Sequence, residues 1–188
     1  MDARPAARHR RCHGTRIGTV LDRRAALALL LGGALAGIAA RSAAAGDGSR
    51  DGLRLENARG RRTTLPALTG GRPAILHVWA TWCAPCLTEL PELARYVAAH
   101  PAEAEAVVIV SADTRPTADV AAFLGERIGL DLATWRSTGP TPGDVYGLTG
   151  LPATLFLAAD GTVVARHAGS LDWTAPETAA RIAAHLAR

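Results

Sequence analysis

From Ala74 to Ala80 the chain reads Ala-Ile-Leu-His-Val-Trp-Ala, a nearly continuous apolar run that predicts a strand buried on both faces of an α/β sheet. The period changes after Thr81-Trp82-Cys83. Leu87, Leu90, Leu93, Ala94 and Val97 recur at helical spacing, so a helix is predicted from Ala84 to about Ala99, with a kink at Pro91. A second buried strand is predicted within Glu105–Ala112, and an amphipathic helix from Pro116 to Ile128 that turns Val120, Ala121, Phe123, Leu124 and Ile128 inward. Strand, helix, strand, helix implies a parallel pairing through a crossover. A short strand over Ala133–Arg136, a turn over Gly143–Leu148 and a hairpin turning at Ala158–Thr162 follow, with Val163–His167 as the returning strand. Residues 174–187 read as a closing helix, capped by Thr174 with Glu177 three positions on.

The length of 188 residues fits one domain with an extra segment at one end, and no internal repeat is present. Charge locates that segment. Residues 1–45 hold eight Arg against Asp2 and Asp22, a net +6; the remainder of the +4 total leaves residues 46–188 at −2. A nucleic-acid partner is therefore not expected, because attraction to phosphates needs positive charge on the folded part. Arg23 and Arg24 precede an uncharged stretch, Ala25–Ala40, closed by Arg41 and Ser42-Ala43-Ala44-Ala45. This order is that of a signal peptide cleaved after Ala45, and Asp22-Arg23-Arg24-Ala25-Ala26-Leu27 resembles a twin-arginine motif. The alternative is an uncleaved membrane anchor, for which the stretch is short against the roughly 20 residues a spanning helix needs. Either way residues 46–188 are expected outside the cytoplasm, in the periplasm or its equivalent.

Three cysteines occur, and Cys12 lies in the leader. Cys83 and Cys86 thus stand alone in the mature chain, which argues against a structural disulfide framework. Zinc would need further ligands, and His100, His167 and His185 are isolated in sequence, so no metal is expected. The helix beginning at the thiols places Cys83 at a helix N-terminus. Unpaired N–H groups and the positive end of the dipole there stabilise a thiolate, the reactive form. Cys83 is expected to be the exposed nucleophile and Cys86, one turn deeper, the resolving thiol. Pro85 stiffens the turn between them where no N–H is needed.

Trp79-Ala80-Thr81-Trp82-Cys83-Ala84-Pro85-Cys86, followed by Glu89-Leu90-Pro91, resembles the active-site segment of the thioredoxin superfamily, most closely its TlpA/ResA-like exported branch. The resemblance extends over residues 53–187. It implies an α/β, thioredoxin-like fold: a central mixed β-sheet flanked by helices, with an added N-terminal β-hairpin over Leu53–Leu65. It also implies a proton-transfer role for Glu89, and a cis Pro152 with Leu151 facing the thiols in Gly150-Leu151-Pro152-Ala153-Thr154. Trp82, Pro85 and Leu151 then border the client. Without the resemblance Glu89 reads rather as an ordinary solvated helix carboxylate. His77 departs from the pattern, since thioredoxins carry a buried Asp there and the TlpA-like branch commonly Asn. A buried imidazole is expected to be neutral and either relays a proton or is a satisfied core group.

The activity implied is thiol–disulfide oxidoreduction without a cofactor, reducing client proteins of the cytochrome c maturation or copper/oxidase assembly type. An upstream membrane electron donor of DsbD/CcdA type is implied with it. Two alternatives remain: a thiol peroxidase on the same fold, and a copper chaperone using both thiolates.

Overall fold

The computed structural model describes residues 53–188; the signal-peptide or anchor reading, and Cys12, fall outside them. Strand β3 (Ala74–Trp79) is the centre of the molecule, and all six of its residues are buried. It pairs in parallel with β4 (Val107–Ser111) and antiparallel with β6 (Ala153–Leu157). Strand β5 (Trp135–Ser137) continues the parallel set beside β4, and β7 (Val163–Ala168) closes the opposite edge against β6. Strands β1 (Arg54–Asn57) and β2 (Arg62–Thr64) form the N-terminal hairpin, whose β1 pairs with β5. The mixed sheet therefore runs β2-β1-β5-β4-β3-β6-β7.

The alternation of side chains along β3 explains the two-sided core. Ile75 and Trp79 pack with Leu90 and Leu93 of helix α2 (Ala84–Ala99), Val120 of α4 (Thr117–Ala122) and Ile182 of α6 (Pro176–Leu186). Leu76 and Val78 pack on the other face with Leu65 of α1 (Leu65–Thr69) and Tyr146 of α5 (Pro142–Tyr146). Each fully buried Leu contributes about 1.5–3 kcal/mol of apolar transfer, so Leu90 and Leu93 anchor α2, and with it the thiol loop, to the sheet. A further short helix, α3 (Pro101–Ala104), leads from α2 into β4.

Three details differ from the sequence reading. The predicted helix over 116–128 is α-helical only to Ala122 and continues as a π-helical segment, Phe123–Ile128, which leaves Phe123 and Ile128 half-buried. Gly143–Leu148 is not a simple turn: Thr141 caps α5 through a reciprocal pair with Asp144, and Gly147 at φ 62° ends it. Helix α6 starts after Ala175, and Thr174 does not cap it, because its hydroxyl and amide both donate to Asp172 Oδ1 instead. Pro91, where the kink is predicted, lies inside α2.

Candidate active site

Strand β3 ends at Trp79, and four residues later Cys83 is the N-cap of α2. Cys83 and Cys86 are joined as a disulfide, and the Cys86 amide donates to Cys83 Sγ at 3.3 Å. The first turn of this sixteen-residue helix leaves its N–H groups open, and Pro85 within that turn removes no needed donor. Cys86 is fully buried. Cys83 is 6% exposed, more accessible than its partner but far from the open position expected of it. Cys83 packs into the core cluster that contains Cys86 and Leu90, and Trp82 beside it is 69% exposed.

Beneath the disulfide lies a buried polar site. Glu89, one turn after Cys86 on the same helix face, is not a solvated carboxylate; it is 3% exposed. Its Oε1 accepts from Trp173 Nε1 at 2.5 Å and from the Leu171 amide at 3.2 Å. Burial pushes its carboxyl above the ordinary range, and these two donors oppose the shift without cancelling it. His77, fully buried on β3, has Nδ1 3.1 Å from Thr154 Oγ1 and 3.9 Å from Glu89 Oε1. Burial lowers its imidazole to about 3, so it is neutral at ordinary pH.

A second carboxylate fixes the loop from the other side. Asp113, just beyond β4, accepts from the Thr81 amide at 2.9 Å and the Thr81 hydroxyl at 2.6 Å, and from Ser111 Oγ at 2.6 Å. Arg115 approaches at 3.6 Å, but it is half exposed, and such a pair contributes under about 1 kcal/mol. The hydrogen bonds matter more. Asp113→Ala strands three buried donors and is expected to destabilise the fold by about 3 kcal/mol, with Asp113→Asn costing less; urea unfolding of the oxidised protein checks both.

The Leu151–Pro152 peptide bond is cis, and the Gly169 amide donates to the Pro152 carbonyl at 2.9 Å. Leu151 packs against both core clusters, one of which contains Cys83 and Cys86. Beside this loop a cavity of about 180 Å³ is lined by Leu148, Gly150, Leu151, Leu155, Arg166 and Gly169. The structure thus brings Cys83, Cys86, Glu89 and His77 to one end of α2, with Trp82 and Pro85 at the surface. The sequence reading missed Thr154, Trp173, Thr81 and Asp113. Thr154 follows from β3–β6 register, which places it opposite His77. Nothing local marks Trp173, 84 residues from Glu89, as its partner.

A mixed sheet with a disulfide at the N-terminus of the helix that follows its central strand, and a cis proline at the start of β6, defines a protein of thioredoxin fold. Residues 51–166 match the AhpC/TSA family. The chain belongs to that family. It is similar to the thiol-disulfide oxidoreductase ResA of Halalkalibacterium halodurans, 28% identical over 117 residues that cover 62% of this chain and 65% of that one. It is also similar to the thiol:disulfide interchange protein CycY of Rhizobium leguminosarum bv. viciae, 33% identical over 132 residues, covering 64% of this chain and 65% of that one. The match thus spans slightly under two thirds of the length of either relative. Among solved structures, a secreted disulfide oxidoreductase of Mycobacterium tuberculosis superposes with a TM-score of 0.51 at 26% identity, over 72% of this chain and 97% of that one.

Proposed function

We propose that the chain is an exported thiol–disulfide oxidoreductase that reduces disulfides of client proteins through Cys83 and Cys86. The observation that carries this reading is the Cys83–Cys86 disulfide at the N-terminus of α2 with the buried Glu89 carboxylate one turn beyond it. In the reduced protein the helix N-terminus stabilises the Cys83 thiolate, which attacks one sulfur of the client disulfide and expels the other as a thiolate. Glu89 takes the proton of Cys86. The Cys86 thiolate then attacks Cys83, the bond to the client breaks, and the enzyme is left with the Cys83–Cys86 disulfide. Pro152 and Leu151 offer backbone and an apolar side to the client's extended chain, while Trp82 and Pro85 border it.

The finer assignments rest on the leader and on the resemblance. Residues 1–45 serve as a signal peptide or anchor and residues 46–188 as the working domain, outside the cytoplasm. The clients are thiol proteins of cytochrome c or copper/oxidase assembly, and a membrane donor of DsbD/CcdA type restores the dithiol. The charge division agrees with a client that is protein rather than nucleic acid: residues 46–188 carry a net −2.

Trapping tests the reading. With Cys86→Ser, expressed with its leader in an exporting host, client proteins are expected to accumulate as mixed disulfides on Cys83 that a reductant releases. No covalent adduct with any protein would overturn it.

A further inference from the structure

The buried site under the disulfide contains two polar atoms without a hydrogen-bond partner, Glu89 Oε2 and His77 Nε2. Their side chains are 1% and 0% exposed, so water does not satisfy them from the surface. Such atoms cost on the order of 1–3 kcal/mol each, which calls for a reason. The arrangement of the satisfied atoms supplies one. Trp173 Nε1 and the Leu171 amide are donors only, and both point at Glu89 Oε1. A proton on this carboxyl is therefore confined to Oε2, the free oxygen. His77 Nδ1, by contrast, meets the Thr154 hydroxyl, which can donate to a bare nitrogen or accept from a protonated one. The imidazole can change its proton at Nδ1 without losing its partner.

We propose that His77 and Glu89 are one site, a buried imidazole–carboxylate pair with room for one proton, and that this proton is the one Cys86 loses during exchange. This deepens the thiol-exchange reading and rests on it. Before the transfer the pair carries one buried negative charge, partly offset by the two donors on Oε1, and the Cys86 proton makes it neutral whether that proton sits on the acid or the ring. A second proton would leave a buried positive charge, which is expensive in this environment. Nδ1 lies 3.9 Å from Oε1, close enough for the two groups to titrate together rather than singly. Burial acts on them in the same sense, pushing Glu89 up and His77 down, which leaves the first proton on the acid and the ring neutral. The pair is enclosed by Thr154 on β6 and Trp173 before α6, which packs edge-on against the His77 ring at 5.6 Å between centroids. The charged groups acting on Glu89 from further out are His167 on β7, which favours the anion, and Glu92 on α2, which opposes it.

The step balances. Cys86–SH gives its proton to the pair, the resulting thiolate forms the bond to Cys83, and the client sulfur leaves as a thiolate with the electron pair. The two enzyme sulfurs are oxidised by two electrons and the client disulfide is reduced by two. The departing thiolate, or solvent, takes up the proton when the pair releases it.

The pair predicts non-additive variants. The full chain is reduced and mixed with Ellman's reagent, and release of thionitrobenzoate from Cys83 by Cys86 is followed at pH 7 in wild type, His77→Asn, Glu89→Gln and the double variant. Each single change is expected to slow release about 10-fold, as loss of a proton acceptor does, and the double variant also about 10-fold. A double loss of about 100-fold, the product of independent roles, overturns the proposal, as does wild-type release in His77→Asn. The second measurement does not depend on turnover. The imidazole ¹⁵N resonances of His77, followed against pH in the oxidised protein, are expected to titrate at least about one pH unit away from wild type in Glu89→Gln, and an unchanged titration overturns the pair. Should wild type release no thionitrobenzoate at all, the exchange reading fails, while the resonances still decide whether the pair exists.

Discussion

Replacing Cys83 with Ser is expected to remove disulfide exchange almost entirely, by about 10³-fold or more in the rate of reducing a protein disulfide. Serine fits the same turn, so the loss is chemical. A hydroxyl at a helix N-terminus stays protonated at pH 7, whereas the thiol is brought toward its thiolate by the open N–H groups of α2. The disulfide cannot close either, so the α2 entrance loses its crosslink between residues three apart. The comparison with Cys86→Ser separates nucleophile from resolving thiol. That variant keeps Cys83 and is expected to attack clients once and stall as a mixed disulfide. An insulin reduction assay run beside mass spectrometry of the intact protein reads both outcomes. Equal stalling by the two variants would assign the roles wrongly, and retained turnover in Cys83→Ser would remove the dithiol from the mechanism.

The parts of this site that lie along the chain could be read from it, and those assembled across the sheet could not. The apolar run at 74–80 and the helical spacing after Ala84 located β3 and α2 almost to the residue, because each is buried on a face wide enough to impose its period. The fate of Glu89 was not local. A carboxylate at that helix position reads as solvated until Trp173 and Leu171 are known to cover it, and they come from a loop that only tertiary folding brings there. The same holds for Asp113, whose partner Thr81 is 32 residues away across the β3–β4 crossover. His77 is recognisable as a buried polar residue in a core strand, but its approach to Glu89 is not, because the two meet only where α2 packs on β3. The π-helical segment at 123–128 was read as α-helix because both periods turn Val120 and Leu124 inward.

The oxidised protein is expected to lose stability in acid through His77. In the unfolded chain this ring takes a proton at its ordinary value of 6.5, whereas in the fold burial holds it to about 3. Between those values the unfolded state binds more protons, so stability is fully present above pH 6.5 and falls as pH drops toward 3. The distance between those values makes the contribution lost on the order of several kcal/mol, a large share of what a domain of this size has in hand. Glu89 acts in the other direction. Its carboxyl is raised in the fold, so its contribution is present below its ordinary 4.5 and is lost as pH rises through the raised value. The neutral pair therefore favours a middle range, with His77 limiting it from the acid side. Asparagine at position 77 keeps a polar group for Thr154 and takes up no proton. Urea unfolding of oxidised wild type and His77→Asn from pH 7 to pH 3 is expected to give curves that diverge below pH 6.5, with the variant losing several kcal/mol less. Parallel curves would mean that His77 is protonated in the fold at the same pH as in the open chain, and the site beneath the disulfide would then have to accommodate a cation rather than a shared proton.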